Sequence, residues 1–284
     1  MRLRILTWGA HANFNTWFGF QLVWVNLFVC AVTPFEGGGG PAQIIMMTKR
    51  GISAGKGMAI TSIRSALTLT VLSFSTLLVL CFWPEVVPQW PLKKVFLGVS
   101  IPVLLFIMIL TGGLFFPDKL KIFGQAVAYF LQRYRFIKPN WTERWTGFLF
   151  NMVDDLNETF KKYLIDGKKY LLGATLVTIL FLCAQFCVAP FIFWSLGAPI
   201  PFLNAILIQV VLTLMIYFIP TPGSSGVAEG GFFLLFSPLI PSPILGISVM
   251  LWRFLTVYLG VLLGVFSLTY FIPRSTTIAE HKKG

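Results

Sequence analysis

The chain has 284 residues, 56% of them hydrophobic and only 11% charged, with a mean hydropathy of +0.81. A soluble globular domain is about half apolar and about a quarter charged, so that class is excluded; uninterrupted apolar runs of about 20 residues exclude a β-barrel, whose strands alternate. The net charge of +12 comes from Lys and Arg flanking the apolar runs, which is a membrane pattern, so no nucleic-acid partner is expected.

Arg2, Arg4, Trp8, His11 and Trp17 mix charge with aromatic rings, so residues 1–16 are expected at a headgroup boundary. No small-residue cleavage site follows Trp24–Val32, and no cleaved signal peptide is expected. Phe18 to Val32 reads as an apolar helix that ends at Thr33-Pro34. Gly37, Gly38, Gly39 and Gly40 oppose a continuous helix, each costing about 1 kcal/mol relative to Ala. Pro41 can open a second short helix reaching Thr48, followed by a polar loop with Lys49, Arg50 and Lys56. Gly57 to Trp83 is a full span carrying Arg64. After a turn at Pro84–Pro91, Val95 to Phe116 is an uncharged span.

Residues 118–169 hold 10 of the 22 basic and 6 of the 10 acidic residues. Leu120, Phe123, Val127, Phe130 and Tyr134 share one helical face. A second face, from Trp141 and Trp145 through Phe148, Met152 and Leu156 to Phe160 and Tyr163, repeats the pattern. Two amphipathic helices at the membrane surface are expected, offering a surface for a partner or a second copy. Leu171–Leu196 and Pro201–Ile219 read as spans. A break at Thr221, a short apolar helix to about Ile240 and a last span from Ile244 to Ile272 carrying Arg253 complete the chain. Cys30, Cys81, Cys183 and Cys187 all fall within spans and read as packing thiols; no metal site and no cofactor are expected.

Two stretches resemble each other. Thr221–Arg253 has a Thr-Pro start, a break of Gly and Ser, a carboxylate at Glu229 and a guanidinium at Arg253. Thr33–Arg64 has the same start at Pro34, the glycine break, Glu36 and Arg64; Gln43 lies nearer the position equivalent to Glu229. These four are all the charges placed in apolar segments. From Leu171 to Pro273, Glu229 and Arg253 are the only Asp, Glu, Lys or Arg residues. An internal repeat is therefore expected, with a single transmembrane domain over 1–284, a first repeat at 17–116, the insert at 118–169 and a second repeat at 170–273.

Drawing each broken segment as a re-entrant hairpin, with the N-terminus inside, places 18 of the 22 Lys and Arg inside and two, Lys93 and Lys94, outside. Drawing the breaks as ordinary loops gives 13 against 7, so the positive-inside rule prefers hairpins. The hairpins then enter from opposite faces, an inverted repeat of the alternating-access kind. Residues 118–169 become cytoplasmic.

Charges at bilayer depth are costly and persist facing a bundle interior or a cavity, so Glu229 and Arg253 are candidates for function. Broken helices present unpaired N–H groups at the start of each half-helix. Pro222, Gly223, Ser224, Ser225 and Gly226, with the Gly37–Gly40 backbone, could receive an anionic group such as phosphate, and Arg64 and Arg253 could clasp it. Glu36 and Glu229 could pair with those arginines in the empty state or carry a proton. Alternatively, each Glu–Arg pair merely ties a hairpin to the next span.

PTPGSSGVAEGGF at 220–232 resembles the Pro-x-Pro-Gly-Gly-x-Gly-x-x-Glu signature of the lysylphosphatidylglycerol synthase transmembrane region, the flippase-like domain family. TPFEGGGGPAQI, with the basic loop after it and Arg64, is similar to that family's first glycine motif. Ser224 stands where a second glycine is usual, one or two N-terminal spans common in the family have no counterpart here, and neither has the soluble synthase domain. The resemblance implies translocation of lipids, including aminoacylated phosphatidylglycerol, between leaflets. By motif match it points to Pro222, Gly223, Gly226, Glu229 and Arg253, and to Pro34, Gly38, Gly39 and Arg64.

The expected function is a flippase-like transporter of an anionic or head-group-modified lipid in a prokaryotic plasma membrane, with membrane lipids as partners. The alternatives are a secondary transporter of a small anionic solute, a non-transporting scaffold acting through 118–169, or a membrane-embedded enzyme. The last needs an acid/base pair or metal cluster, and His11 and His281 have no ligand-spaced neighbours, so no enzymatic activity is expected.

Overall fold

The computed structural model describes residues 1–10, 12, 14–34, 37–86, 122, 139–165, 167–198, 200–219 and 221–269, and among these every regular element is a helix. The expected span Val95–Phe116, the amphipathic face Leu120–Tyr134, His11, Glu36 and the basic tail lie outside the described residues.

Helix α1 runs Arg2–Gly9, α2 Thr16–Val32, α3 Gly39–Thr48 and α4 Ala54–Phe82. Beyond them come α5 at Pro139–Ile165, α6 at Lys168–Phe186 and α7 at Val188–Ser195. Helix α8 is Phe202–Ile216, followed by a 3-10 turn at Pro222–Ser224 and α9 at Val227–Phe236. Helix α10 begins as Ser242–Arg253, widens into a π-turn at Phe254–Tyr258 and continues to Thr269. Three stretches, Ala54–Phe82, Lys168–Ser195 and Ser242–Thr269, are long and apolar enough to cross a bilayer, and α2 and α8 are shorter apolar helices. The protein is a polytopic helical membrane protein.

Local chemistry sets the boundaries. The Asn15 side chain accepts the Trp17 N–H at the start of α2, and Ser53 accepts the Lys56 N–H at the start of α4. Each Thr before a Pro is extended, as a proline requires of its predecessor: Thr33 (φ −110°, ψ 145°) ends α2, and Thr221 (φ −78°, ψ 146°) lies five residues past the end of α8. The expected span Leu171–Leu196 is present as Lys168–Ser195, interrupted by a single turn residue at Cys187. Pro190 lacks the N–H that would bond the Phe186 carbonyl, and its ring crowds that carbonyl.

The interior has two cores. Leu6, Leu22, Val25, Met47, Ile60 and Tyr163 anchor one; Leu72, Phe193, Val211, Phe232, Phe236 and Leu245 anchor the other. Helix α4 contributes to both, and it packs against α3, α5, α6 and α8. Helix α3 lies against α2 and α4, just as α9 lies against α8 and α10. Helix α2 meets the last span through Gly260 and Gly264, spaced four apart. A Cβ at Gly260 would come 2.8 Å from the Leu27 side chain, and one at Gly264 would collide with Phe28 and the Trp24 carbonyl.

Helix α1 is buried on one side: Leu3 and Leu6 are enclosed, and α1 packs against α4 and α6. Arg4 and Trp8 keep the expected boundary character: the guanidinium stacks 5.0 Å from the ring centroid and Trp8 is exposed. The far end of α1 is held by α5, whose buried Tyr163 hydroxyl donates to the Leu6 carbonyl. On the outer face of α5, Lys162 bonds Glu158 and holds its carboxyl below the ordinary range.

Two outcomes follow for purified protein in detergent. Gly264→Val should lower stability by about 1–3 kcal/mol through overpacking, whereas Gly246→Ala, with open space around it, should not. Thermal unfolding of the two variants checks this. Burial pushes the Tyr163 phenol above its ordinary value, so its contribution is complete below pH about 10 and lost as pH rises beyond it. Tyr163→Phe should cost about 1 kcal/mol at neutral pH and flatten the alkaline decline in melting temperature.

Candidate functional site at the second helix break

The chain between α8 and α9 turns tightly and in the left-handed region. Gly223 (φ +59°), Ser224 (φ +54°) and Gly226 (φ +82°) all have positive φ. Ser224 accepts a conformation uncommon for a residue with a Cβ, and its hydroxyl donates to the Ile216 carbonyl at 3.1 Å. Gly223 has a second reason to be glycine, since a Cβ there would sit 3.0 Å from the Ala31 carbonyl oxygen. The second break is thereby laid against the end of α2, two residues before Thr33.

Arg253 closes this turn. Its Nε donates to Glu229 Oε1 at 2.5 Å and its Nη2 to the Gly223 carbonyl at 2.9 Å. The other carboxylate oxygen of Glu229 accepts the Gly226 N–H at 2.6 Å, the N3-to-N-cap half of a capping box. The Arg253 side chain is 5% exposed and that of Glu229 30%, so the cation is interior and the carboxylate forms its accessible face. The π-turn begins at the residue after Arg253. Such turns are frequent at functional sites.

The N–H groups expected to receive an outside anion have inside partners here. Ser224 N–H bonds the Thr221 carbonyl, Ser225 N–H the Pro222 carbonyl and Gly226 N–H the Glu229 carboxylate. Glu229 itself occupies the anion position at the start of α9. An outside anion would reach Arg253 by displacing a carboxylate already bound there.

The first break is built differently. The Thr33 hydroxyl donates to the Val29 carbonyl (2.7 Å) and accepts the Gly38 N–H (3.1 Å), spanning the interruption that follows Pro34. Gly37 N–H bonds the Pro34 carbonyl. A Cβ on Gly38 would meet Thr33 and Val29, and one on Gly39 would meet Cys30 and Asn26, whereas Gly40 faces open space. Gln43 is fully buried and donates to the Leu22 carbonyl at 2.9 Å, tying α3 to α2; among the described residues no hydrogen bond joins it to Arg64. Arg64 Nη2 instead donates to Asn26 Oδ1 at 3.2 Å. The sequence reading passed over Asn26, whose only signal was that it is one of two amides, with Gln21, in the apolar run of α2. Gln209 was passed over too; it is wholly buried, with neither amide atom bonded among the described residues.

Two broken segments meeting through α2, with a Glu–Arg pair inside one of them, belong to the class of polytopic membrane proteins with interrupted helices. The chain is a member of the lysylphosphatidylglycerol synthase TM region family, whose profile matches residues 1–264. It is 24% identical over 276 residues to a UPF0104 membrane protein of Archaeoglobus fulgidus, covering 97% of this chain and 82% of that one. A UPF0104 membrane protein of Pyrococcus horikoshii is 25% identical over 262 residues, covering 90% and 77%. No solved structure matches.

The Glu229–Arg253 contact should appear as coupling. In a double-mutant cycle of Glu229→Gln and Arg253→Gln, the two losses of unfolding stability should be non-additive by about 1–3 kcal/mol. Additive losses would mean that the pair contributes nothing as a pair.

Proposed function

We propose that the protein is a flippase-like transporter that moves an anionic or head-group-modified phospholipid between membrane leaflets. The observation that carries this reading is the Arg253–Glu229 pair, which closes a broken helix inside an otherwise uncharged region of 103 residues, Leu171 to Pro273. A lipid phosphate competing for Arg253 would release the Glu229 carboxylate, which could then take a proton or stay ionised in the accessible space beside it. Such an exchange of partners gives the site two states, the minimum for alternating access.

The surroundings favour a lipid over a small solute. Next to Glu229 on α9, Val227 is 49% exposed and Phe233 42% exposed, so the helix bearing the carboxylate presents apolar side chains outward. The family takes its name from the membrane region of a synthase of lysylphosphatidylglycerol, which combines a phosphodiester with a cationic head group. A carboxylate beside an arginine suits such a head group at both ends. The rest of the reading is part of the same proposal: the two breaks as re-entrant hairpins of an inverted repeat, residues 118–169 cytoplasmic by the positive-inside count, and a role in transport, with no chemistry done on the lipid.

The test is leaflet exchange of fluorescent anionic and zwitterionic phospholipids in proteoliposomes. Wild type should accelerate exchange of the anionic lipid, and Glu229→Gln and Arg253→Ala should each slow it at least about tenfold, the loss of one charged hydrogen bond, at matched folding. A well-folded wild type that exchanges no lipid would overturn the reading and turn attention to uptake of anionic solutes.

A further inference from the structure

The transport reading leaves Arg2 unused, and its position is unusual. Arg2 Nη1 donates to Thr68 Oγ1 on α4 at 2.8 Å and to Thr178 Oγ1 on α6 at 3.3 Å. Thr68 in turn donates to the Arg64 carbonyl one turn back along α4, at 2.9 Å. The Arg2 guanidinium therefore lies beside the turn of α4 that begins at Arg64. Thr68 and Thr178 are respectively 14 and 10 residues into their spans, about 21 and 15 Å along a helix axis, well inside the membrane region.

Two like charges at that depth repel more strongly than in water, and each carries a desolvation cost. Among the described residues neither has a carboxylate partner. Among the described residues Arg2 bonds only neutral hydroxyls, Arg64 bonds one amide oxygen, and Arg64 Nε is enclosed without a partner. Each guanidinium has five N–H donors, and these described contacts use fewer than half of them. Both side chains are partly open. We infer that Arg2 and Arg64 form a second anion site, between α1, α4 and α6, that takes a phosphate group.

Phosphate fits because its several oxygens can accept from two planar guanidiniums at once, and because one or two negative charges cancel the repulsion that the empty pair carries. The site opens sideways. The Arg2 guanidinium stands 5.5 Å from the centroid of the Phe181 ring, and that ring is 52% exposed on the outer side of α6. A phosphate bearing acyl chains can approach along such an apolar wall, whereas free phosphate must arrive through water. The inference shares Arg64 with the transport reading but does not require transport.

The experiment is native mass spectrometry of the full chain, stripped of lipid in detergent and titrated separately with phosphatidylglycerol, phosphatidylcholine and inorganic phosphate. Wild type should retain a phosphate-bearing ligand, and Arg2→Gln and Arg64→Gln should each weaken it about tenfold, as loss of a charged hydrogen bond implies. Lys161→Gln, an exposed charge on α5, should leave it unchanged. Arg2→Lys and Arg64→Lys, which keep the charge but not the planar fork, should fall between. If the glutamine variants do not fold, the lysine pair and a ligand-dependent rise in the wild-type melting temperature carry the test. Retention of either phospholipid supports the site with a lipid source, and retention of inorganic phosphate alone supports it with a free-ion source. The inference is overturned if wild type retains none of the three, if the arginine variants bind like wild type, or if only Arg253→Gln lowers binding. Lipid exchange can fail with binding intact, and the reverse, so the two proposals fall separately.

Discussion

A helix that stops inside a bilayer leaves backbone N–H and C=O groups with no water to bond, and every one of them needs a partner from the protein. The second break meets this demand with charge. Gly223 gives its carbonyl to Arg253, Gly226 its N–H to Glu229, and the carboxylate and guanidinium then bond each other. Removing either side chain would strand the other's charge and one backbone group. The pair is therefore what holds the turn together. At the first break the Thr33 hydroxyl bridges the Val29 carbonyl and the Gly38 N–H.

This difference separates the two halves. At the second break an arginine from the following span reaches forward into the turn and onto α9. At the first, Arg64 reaches α2 through Asn26, and Gln43 holds α3 to α2 by a neutral bond to Leu22. Among the described residues Arg64 has an amide partner and no carboxylate, and α1 brings Arg2 to the same turn of α4. The described part of the first half therefore offers two guanidiniums where the second half pairs its one with Glu229.

Helix α2 joins the halves. It packs against α3, against the Pro222–Ser224 turn and, through Gly260 and Gly264, against the last span. Glycines at these contacts let backbones approach where apolar side chains gain little over lipid. Movement of the second turn would be felt first at Ala31, one helical turn or less from Thr33 and the start of the first break.

Much of this was legible in the residues. Composition excluded a soluble protein, the Thr-Pro and Gly runs marked both breaks, and the boundaries of α2, α3, α4 and α9 follow from caps, prolines and apolar length, all local effects. The isolated Glu229 and Arg253 announced themselves because charge is rare at that depth. Other features needed the fold. A short stretch with two arginines and a tryptophan reads as interfacial, and only the fold shows that one side of α1 is enclosed, by hydroxyls, an aromatic ring and apolar walls of α4, α5 and α6. Asn26 became the partner of Arg64 only once α2 and α4 were set together. The break's N–H groups looked open to an anion, but Glu229 folds back to fill the place. Sequence determined which segments enter the membrane and where they are interrupted, because hydropathy and backbone chemistry act on neighbours in the chain. Tertiary structure decided which charge meets which partner, because that depends on residues 24 to 176 positions apart brought within about 3 Å of one another.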